Sequence, residues 1–142
     1  MRIIFIYVLQ KGEIVAKKVI LVDDSKTIIA TAQMALEELV KSGAIQVKAY
    51  LNPVEMLDDV KNARVDYDLA ICDINMPQMN GLDLAAQLKA DARFKNKPIL
   101  MLTTESSAEM KARGKEIGLT GWMVKPFSDE KLSKSVKMVL GL

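Results

Sequence analysis

Carboxylates, one hydroxyl and one lysine are the groups whose types and spacing could perform chemistry in this sequence. Asp23 and Asp24 follow a short apolar run, and Asp73, Thr103 and Lys125 each follow another. The sequence contains no histidine, which excludes Ser/His/Asp and Cys/His nucleophilic arrangements, a histidine-based zinc site and a role as a phosphohistidine donor. The chemistry that remains is that of carboxylate, hydroxyl and ammonium groups.

The three aspartates predict a metal site if the runs before them are neighbouring strands, because their carboxylates then converge. Two like charges about 4 Å apart repel by roughly 4 kcal/mol at an effective dielectric constant of 20. A divalent cation would offset this repulsion, and Mg²⁺ usually binds through one or two carboxylates plus a substrate phosphate. The structural alternative is that Asp23 and Asp24 cap the following helix while Asp73 lies in a polar loop.

Thr103 and Lys125 favour a phosphate site over that alternative. An unpaired ammonium after the apolar residues that precede Lys125 would be costly, so we expect it to meet an acidic site. The Thr103 hydroxyl could donate to a phosphoryl oxygen, although a lone threonine is more often a strand-forming or capping residue. A carboxylate can act as the nucleophile in phosphoryl transfer, with a metal ion and a lysine neutralising charge.

Alternating strands and helices must position these residues. Apolar runs predict buried strands, and an alternating apolar and polar run predicts an edge strand; the buried runs are residues 19–22, 69–72, 99–102 and 122–124, and the edge run is residues 45–50. Helical spacing of Ile28, Ala32, Ala35, Leu36 and Leu39 predicts a first helix with its N-cap at Ser25 and its stop at Gly43. Four more helices are predicted over residues 54–60, 82–88, 108–117 and 130–139. Five strands alternating with five helices predict a doubly wound α/β domain, whose ligands bind beyond the carboxyl ends of the strands.

Length, charge and cysteine content predict one cytosolic domain. The 142 residues fit a single core, and a net charge of +2 gives no field that favours nucleic acid or a membrane surface. Cys72 is the only cysteine, so no intramolecular disulfide can form. Residues 3–9 are apolar but far shorter than the roughly 20 residues of a membrane span. We expect residues 1–16 to be a leader, either translated upstream sequence or an extra strand, and residues 17–142 to be the domain.

Four segments resemble the receiver domains of two-component response regulators, most closely the single-domain chemotaxis regulators of the CheY type. They are Val-Asp-Asp-Ser at 22–25, Cys-Asp-Ile-Asn-Met-Pro at 72–77 with Asn-Gly at 80–81, Met-Leu-Thr-Thr-Glu at 101–105 and Val-Lys-Pro-Phe at 124–127. Each segment is weak evidence alone, but their order and spacing are specific. The resemblance covers about residues 18–140 and implies a flavodoxin-like, five-stranded parallel sheet in the order 2-1-3-4-5.

The resemblance also implies a role for each candidate residue. Asp73 would be the phosphoacceptor. Asp24 would bind Mg²⁺ directly, with Asp23 assisting through water and the Asn75 backbone carbonyl as a further ligand. The phosphoryl oxygens would be contacted by Thr103 and Lys125, and the Lys125–Pro126 bond would be cis. The switch pair would be Thr103 and Trp122, although this family usually carries Tyr or Phe at the second position.

The same resemblance implies the partners. A sensor histidine kinase would supply the phosphoryl group to this cytoplasmic monomer, and a flagellar motor switch protein or a histidine phosphotransfer protein would respond to it. The surface that such a partner reads would lie on the helix at 108–117, the last strand and the last helix, including Glu105, Met110, Lys115, Trp122, Phe127 and Lys134. No nucleic acid or membrane partner is expected.

Three other functions compete with this interpretation. A phosphatase that turns over an aspartyl phosphate would carry a second Asp two residues after the nucleophile, where this sequence has Asn75. A flavodoxin-like electron carrier would place an anionic phosphate where Asp23 and Asp24 would repel it. A receiver-like module that is never phosphorylated would lack one of the site residues, and the sequence retains them all.

Overall fold

The computed structural model describes residues 15–142, so residues 1–14 of the leader predicted over residues 1–16 lie outside the described part. The described part contains five strands and six helices. In chain order they are β1 (Lys17–Val22), α1 (Lys26–Ala35), α2 (Glu37–Lys41), β2 (Ile45–Tyr50), α3 (Pro53–Lys61), β3 (Leu69–Cys72), α4 (Gly81–Ala90), β4 (Ile99–Thr103), α5 (Ala108–Ile117), β5 (Gly121–Val124) and α6 (Asp129–Leu140).

The strands form one parallel sheet in the order β2-β1-β3-β4-β5, as the resemblance implies. The predicted edge position of residues 45–50 is confirmed, because β2 pairs only with β1 within this sheet. Val22 is in register with Cys72, and Thr103 with Val124. The residues that follow β1, β3, β4 and β5 therefore meet at the carboxyl-terminal end of the sheet.

Apolar side chains cover both faces of the sheet. One buried cluster packs α3 and α4 against one face and includes Ile20, Val22, Met56, Leu82 and Leu88. The other packs α1, α2 and α6 against the opposite face and includes Leu21, Ile29, Leu36, Leu132 and Val136. All four residues of β3 and all five of β4 are buried, because these central strands have helices on both sides. The sheet is thereby fixed from both faces.

The prediction of a single first helix is wrong, since two consecutive helices occupy that segment. Leu36 separates them with φ −101° and ψ 3°, outside helical geometry. Its N–H still donates to the Ala32 and Gln33 carbonyls and its side chain is buried, so the apolar spacing continues across the break. The predicted caps agree with the structure: Ser25 Oγ accepts the Ile28 N–H at 3.2 Å, and Gly43 follows α2 with φ +82°.

No helix within residues 15–142 has both the length and the apolar character that crossing a membrane requires.

Candidate functional site

Asp23 and Asp24 differ in surroundings although they are adjacent at the end of β1. Asp23 is 4% exposed. Its Oδ1 accepts the Ser25 N–H at 2.9 Å, and its Oδ2 accepts the Lys125 ammonium at 2.6 Å. The Asp24 side chain is exposed. Asp23 is therefore a fixed carboxylate inside the site, whereas Asp24 lies at its mouth.

Asp73 directly follows β3, and backbone groups of Ile74 and Gly81 fix its position. It is 8% exposed; its Oδ1 accepts the Ile74 N–H at 2.7 Å, and its Oδ2 lies 3.3 Å from the Lys125 nitrogen. Gly81 packs against the backbone beneath it, since a Cβ on Gly81 would lie 1.8 Å from the Asp73 carbonyl oxygen. Only glycine fits this approach. In the sequence, Asn80-Gly81 is only part of a matching segment, whereas in the structure the tight contact with the Asp73 backbone requires glycine at position 81.

The three aspartates form a group that could hold a metal ion. Carboxylate oxygens of Asp23, Asp24 and Asp73 all lie within 4.8 Å of one another. Lys125 supplies one positive charge against three negative ones, so the cluster keeps a net negative charge. Hard carboxylate oxygens suit Mg²⁺, so the donor set fits the cation that the sequence predicts.

Burial makes the Asp23 charge costly. Desolvation raises the pKa of the Asp23 carboxyl above its ordinary value, and the negative charge of Asp73 adds to the rise. The hydrogen bonds from Lys125 and from the Ser25 N–H oppose it. A raised pKa means that the ionised carboxylate is less stable in the folded protein than in water. A cation beside Asp23 would relieve that cost.

Thr103 and Lys125 close the site from β4 and β5. Thr103 is 0% exposed, and its Oγ1 accepts the Glu105 N–H at 3.2 Å. The Lys125 N–H donates to the Thr103 carbonyl at 2.9 Å, which ties the ends of the two strands together. The Lys125–Pro126 bond is cis, as the resemblance implies.

A polar chain connects the site to the surface of β5. Asn75 Nδ2 lies 3.3 Å from Glu105 Oε2. The indole N–H of Trp122 donates to the Glu105 carbonyl at 2.9 Å. The Trp122 contact could not be predicted from the sequence, because a backbone carbonyl partner leaves no sequence signal.

The predicted partner surface has polar and apolar positions. Lys115 and Lys134 are exposed, and Met110, Trp122 and Phe127 are partly buried. A separate groove of about 680 Å³ lies at the amino-terminal end of the sheet and contains none of the predicted site residues. Two of its lysines are paired, Lys18 with Asp66 and Lys97 with Asp68.

Comparison with known proteins adds the following similarities. A family model described as "Response regulator receiver domain" matches residues 19–137. The chemotaxis protein CheY1 of Helicobacter pylori is 35% identical over 87% of this chain and 97% of its own length. Protein PilG of Pseudomonas aeruginosa is 33% identical over 84% of each chain. The crystal structure of chemotaxis protein CheY4 from Vibrio cholerae superposes with a TM-score of 0.75 and 40% identity, covering 88% of this chain and 99% of that one.

Proposed function

The chain belongs to the response regulator receiver domain family, and from this premise we propose that it is a phosphorylation-dependent switch whose phosphoacceptor is Asp73. A sensor histidine kinase is the donor, and the phosphorylated form changes its affinity for a downstream protein. The chain is a signalling protein that catalyses only its own phosphorylation and dephosphorylation.

The observation that carries this proposal is the position of the Lys125 ammonium between two buried carboxylates. It lies 2.6 Å from Asp23 and 3.3 Å from Asp73, at the edge where the buried Thr103 also ends its strand. A phosphoryl group on Asp73 would add negative charge beside this ammonium. Hydrogen bonds to charged groups contribute about 1.5–3 kcal/mol each, so Lys125 and Thr103 both favour the phosphorylated state.

The transfer exchanges one phosphorus bond for another. A carboxylate oxygen of Asp73 attacks the phosphorus of the kinase phosphohistidine, the phosphorus–nitrogen bond breaks and the imidazole leaves with the electron pair. The product is an acyl phosphate on Asp73. Water later attacks the same phosphorus, which restores the carboxylate and releases inorganic phosphate.

Three carboxylates would hold the metal in this proposal. Asp24 and Asp73 would bind Mg²⁺, with Asp23 assisting and the Asn75 backbone carbonyl as a further ligand. When bound, the ion neutralises charge that develops on the transferring phosphoryl oxygens. Asp23 keeps Lys125 in place and Gly81 keeps the Asp73 backbone in place, so this chain's own residues orient the acceptor before the donor arrives.

The family and the relatives support two kinds of downstream partner. Chemotaxis protein CheY1 and the CheY4 structure support a chemotaxis switch, with a flagellar motor switch protein as the target. Protein PilG carries no chemotaxis name at a similar identity, so a phosphotransfer protein in another relay is the second candidate. We propose a cytoplasmic monomer in either case.

Labelling with a small phosphodonor tests the proposal. Radiolabelled acetyl phosphate with Mg²⁺ should label the wild type, and Asp73→Asn should abolish the label because it removes the nucleophilic oxygen while nearly conserving shape. Asp129→Asn, an exposed change on α6, is the matched control and should label normally. Equal labelling of Asp73→Asn and the wild type would refute the assignment.

A further inference from the structure

We propose that Gly114, on α5 and outside the phosphoryl site, is a positioning residue that sets the place of the Trp122 indole and, through it, the place of Glu105, which follows β4. This inference rests on the proposed function, since it concerns the lifetime of the phosphoryl group on Asp73.

Gly114 lies inside a helix, where its presence needs a reason. Glycine is the least favourable residue for a helix interior apart from proline, and α5 runs from Ala108 to Ile117. Gly114 is buried and has no positive φ in the structure. Neither helix stability nor backbone conformation explains why glycine occupies position 114. Its lack of a side chain is the remaining explanation.

The space above Gly114 is filled by the Trp122 ring. A Cβ at this position would lie 3.2 Å from Trp122 Cζ3, 3.5 Å from its Cε3 and 2.8 Å from Leu119 Cδ1. The leucine methyl is the end of a flexible side chain and can rotate away. The indole is rigid, so it would have to move as a whole by a few tenths of an ångström.

The indole cannot move freely, because its other edge is hydrogen-bonded. The Trp122 N–H donates to the Glu105 carbonyl at 2.9 Å, and such bonds weaken steeply with distance and angle. A side chain at Gly114 therefore strains that bond from the opposite side of the ring. Gly114 and the Glu105 carbonyl together define where the large ring fits.

The Glu105 position matters because both its backbone and its side chain reach the phosphoryl site. Its N–H donates to Thr103 Oγ1 at 3.2 Å, and its carboxylate lies 3.3 Å from Asn75 Nδ2. Asn75 lies two residues after Asp73. Releasing the Glu105 carbonyl from Trp122 would loosen the Asn75–Glu105 pair and admit water to the phosphoryl group.

A double-mutant cycle with two readouts tests this. Gly114→Ala should shift the emission of Trp122, the only tryptophan, to longer wavelength as the ring moves outward. It should also shorten the phosphoryl lifetime on Asp73 about threefold, near the lower end of the range of measured pair couplings. In Trp122→Phe, whose ring is smaller and has no N–H, Gly114→Ala should leave the lifetime unchanged. Glu116→Ala, an exposed change on the same helix, is the control and should alter neither readout.

Each outcome decides the matter. If Gly114→Ala shortens the lifetime equally with Trp122 and with Phe at that position, or changes neither emission nor lifetime, the inference is overturned. A wild-type protein that takes no label would instead refute the proposed function. In that case the emission of Gly114→Ala against Glu116→Ala still decides whether Gly114 positions the indole.

Discussion

The Lys125 ammonium lies 3.3 Å from a carboxylate oxygen of Asp73, and both side chains are only 10% exposed. The same ammonium lies 2.6 Å from Asp23. One lysine thus holds two buried carboxylates that would otherwise repel each other, so the charge balance of the site depends on it.

Removing that ammonium should destabilise the fold. Lys125→Met leaves Asp23 and Asp73 buried without their counter-charge, and breaking a buried pair from one side costs about 3 kcal/mol. Urea denaturation in the presence of a chelator measures the loss, and Mg²⁺ should restore part of it because it binds the folded state. Lys131→Met, an exposed change on α6, is the control; a loss no larger than in that control would contradict the prediction.

Metal binding should depend more on Asp24 than on Asp23. Both Asp23 oxygens already accept hydrogen bonds, whereas the Asp24 side chain is exposed at the mouth of the site. Calorimetric titration with Mg²⁺ should show a roughly tenfold greater loss of affinity in Asp24→Ala than in Asp23→Ala, equivalent to about 1.4 kcal/mol. The reverse order would assign direct ligation to Asp23.

Hydrolysis of a phosphoryl group on Asp73 should be slower when the polar side chains of Asn75 and Glu105 are replaced by apolar ones. The Asn75 amide and the Glu105 carboxylate lie 3.3 Å apart, and Asn75 is two residues after Asp73, so replacing both with leucine should exclude the attacking water. We expect a longer decay of radiolabel after the donor is removed, by about tenfold, or roughly 1.4 kcal/mol in the barrier. An unchanged decay in the double variant would show that water enters by another route.

Trp122 should report activation through its emission. Beryllofluoride with Mg²⁺ stands in for the phosphoryl group on Asp73, and Thr103 should shift toward it and vacate space into which the indole turns. Fluorescence should therefore change in the wild type and stay constant in Asp73→Asn. A constant Trp122 signal in wild-type protein that has bound beryllofluoride would mean that the ring is locked by Gly114 and Glu105.

The Cys72 thiol should be inert in the folded protein. Its burial, with smaller contributions from Asp73 and Asp23, raises the thiol pKa to about 12, and only the thiolate is nucleophilic. Below that pH the thiol stays protonated, so alkylation at pH 8 should proceed only through unfolding. Mass spectrometry should find Cys72 unmodified in native protein and modified in denaturant; rapid labelling of native protein would contradict its burial.

The sheet could be predicted because its signals are local. The apolar runs ending at Val22, Cys72 and Val124 could be recognised without knowing their partner strands. The Ser25 cap is local as well, because its hydroxyl oxygen accepts the N–H of a residue only three positions along the chain. The break at Leu36 could not be predicted, since its buried side chain preserves the helical spacing. Helix counts from spacing alone miss such one-residue interruptions.

For the candidate site, the residue types could be predicted from the sequence, but several of the contacts that position them could not. Its residue types follow from chemistry and from the resemblance, and the structure brings Asp23, Asp24 and Asp73 together, while their roles remain predictions. The contacts of Gly81 with the Asp73 backbone and of Gly114 with Trp122 could not be predicted. These contacts join atoms of different structural elements, and a glycine in a sequence does not reveal which residue packs against it.

The order of the strands along the chain also separates Asp23 from its counter-charge in time during protein synthesis. Asp23 follows the first described strand and Lys125 the last, 102 residues apart. At roughly 5–20 residues per second on the ribosome, the carboxylate is made about 5–20 s before its ammonium. Until Lys125 has been made, Asp23 and Asp73 have no ammonium between them, so the buried charge cluster can form only after β5 has been synthesised.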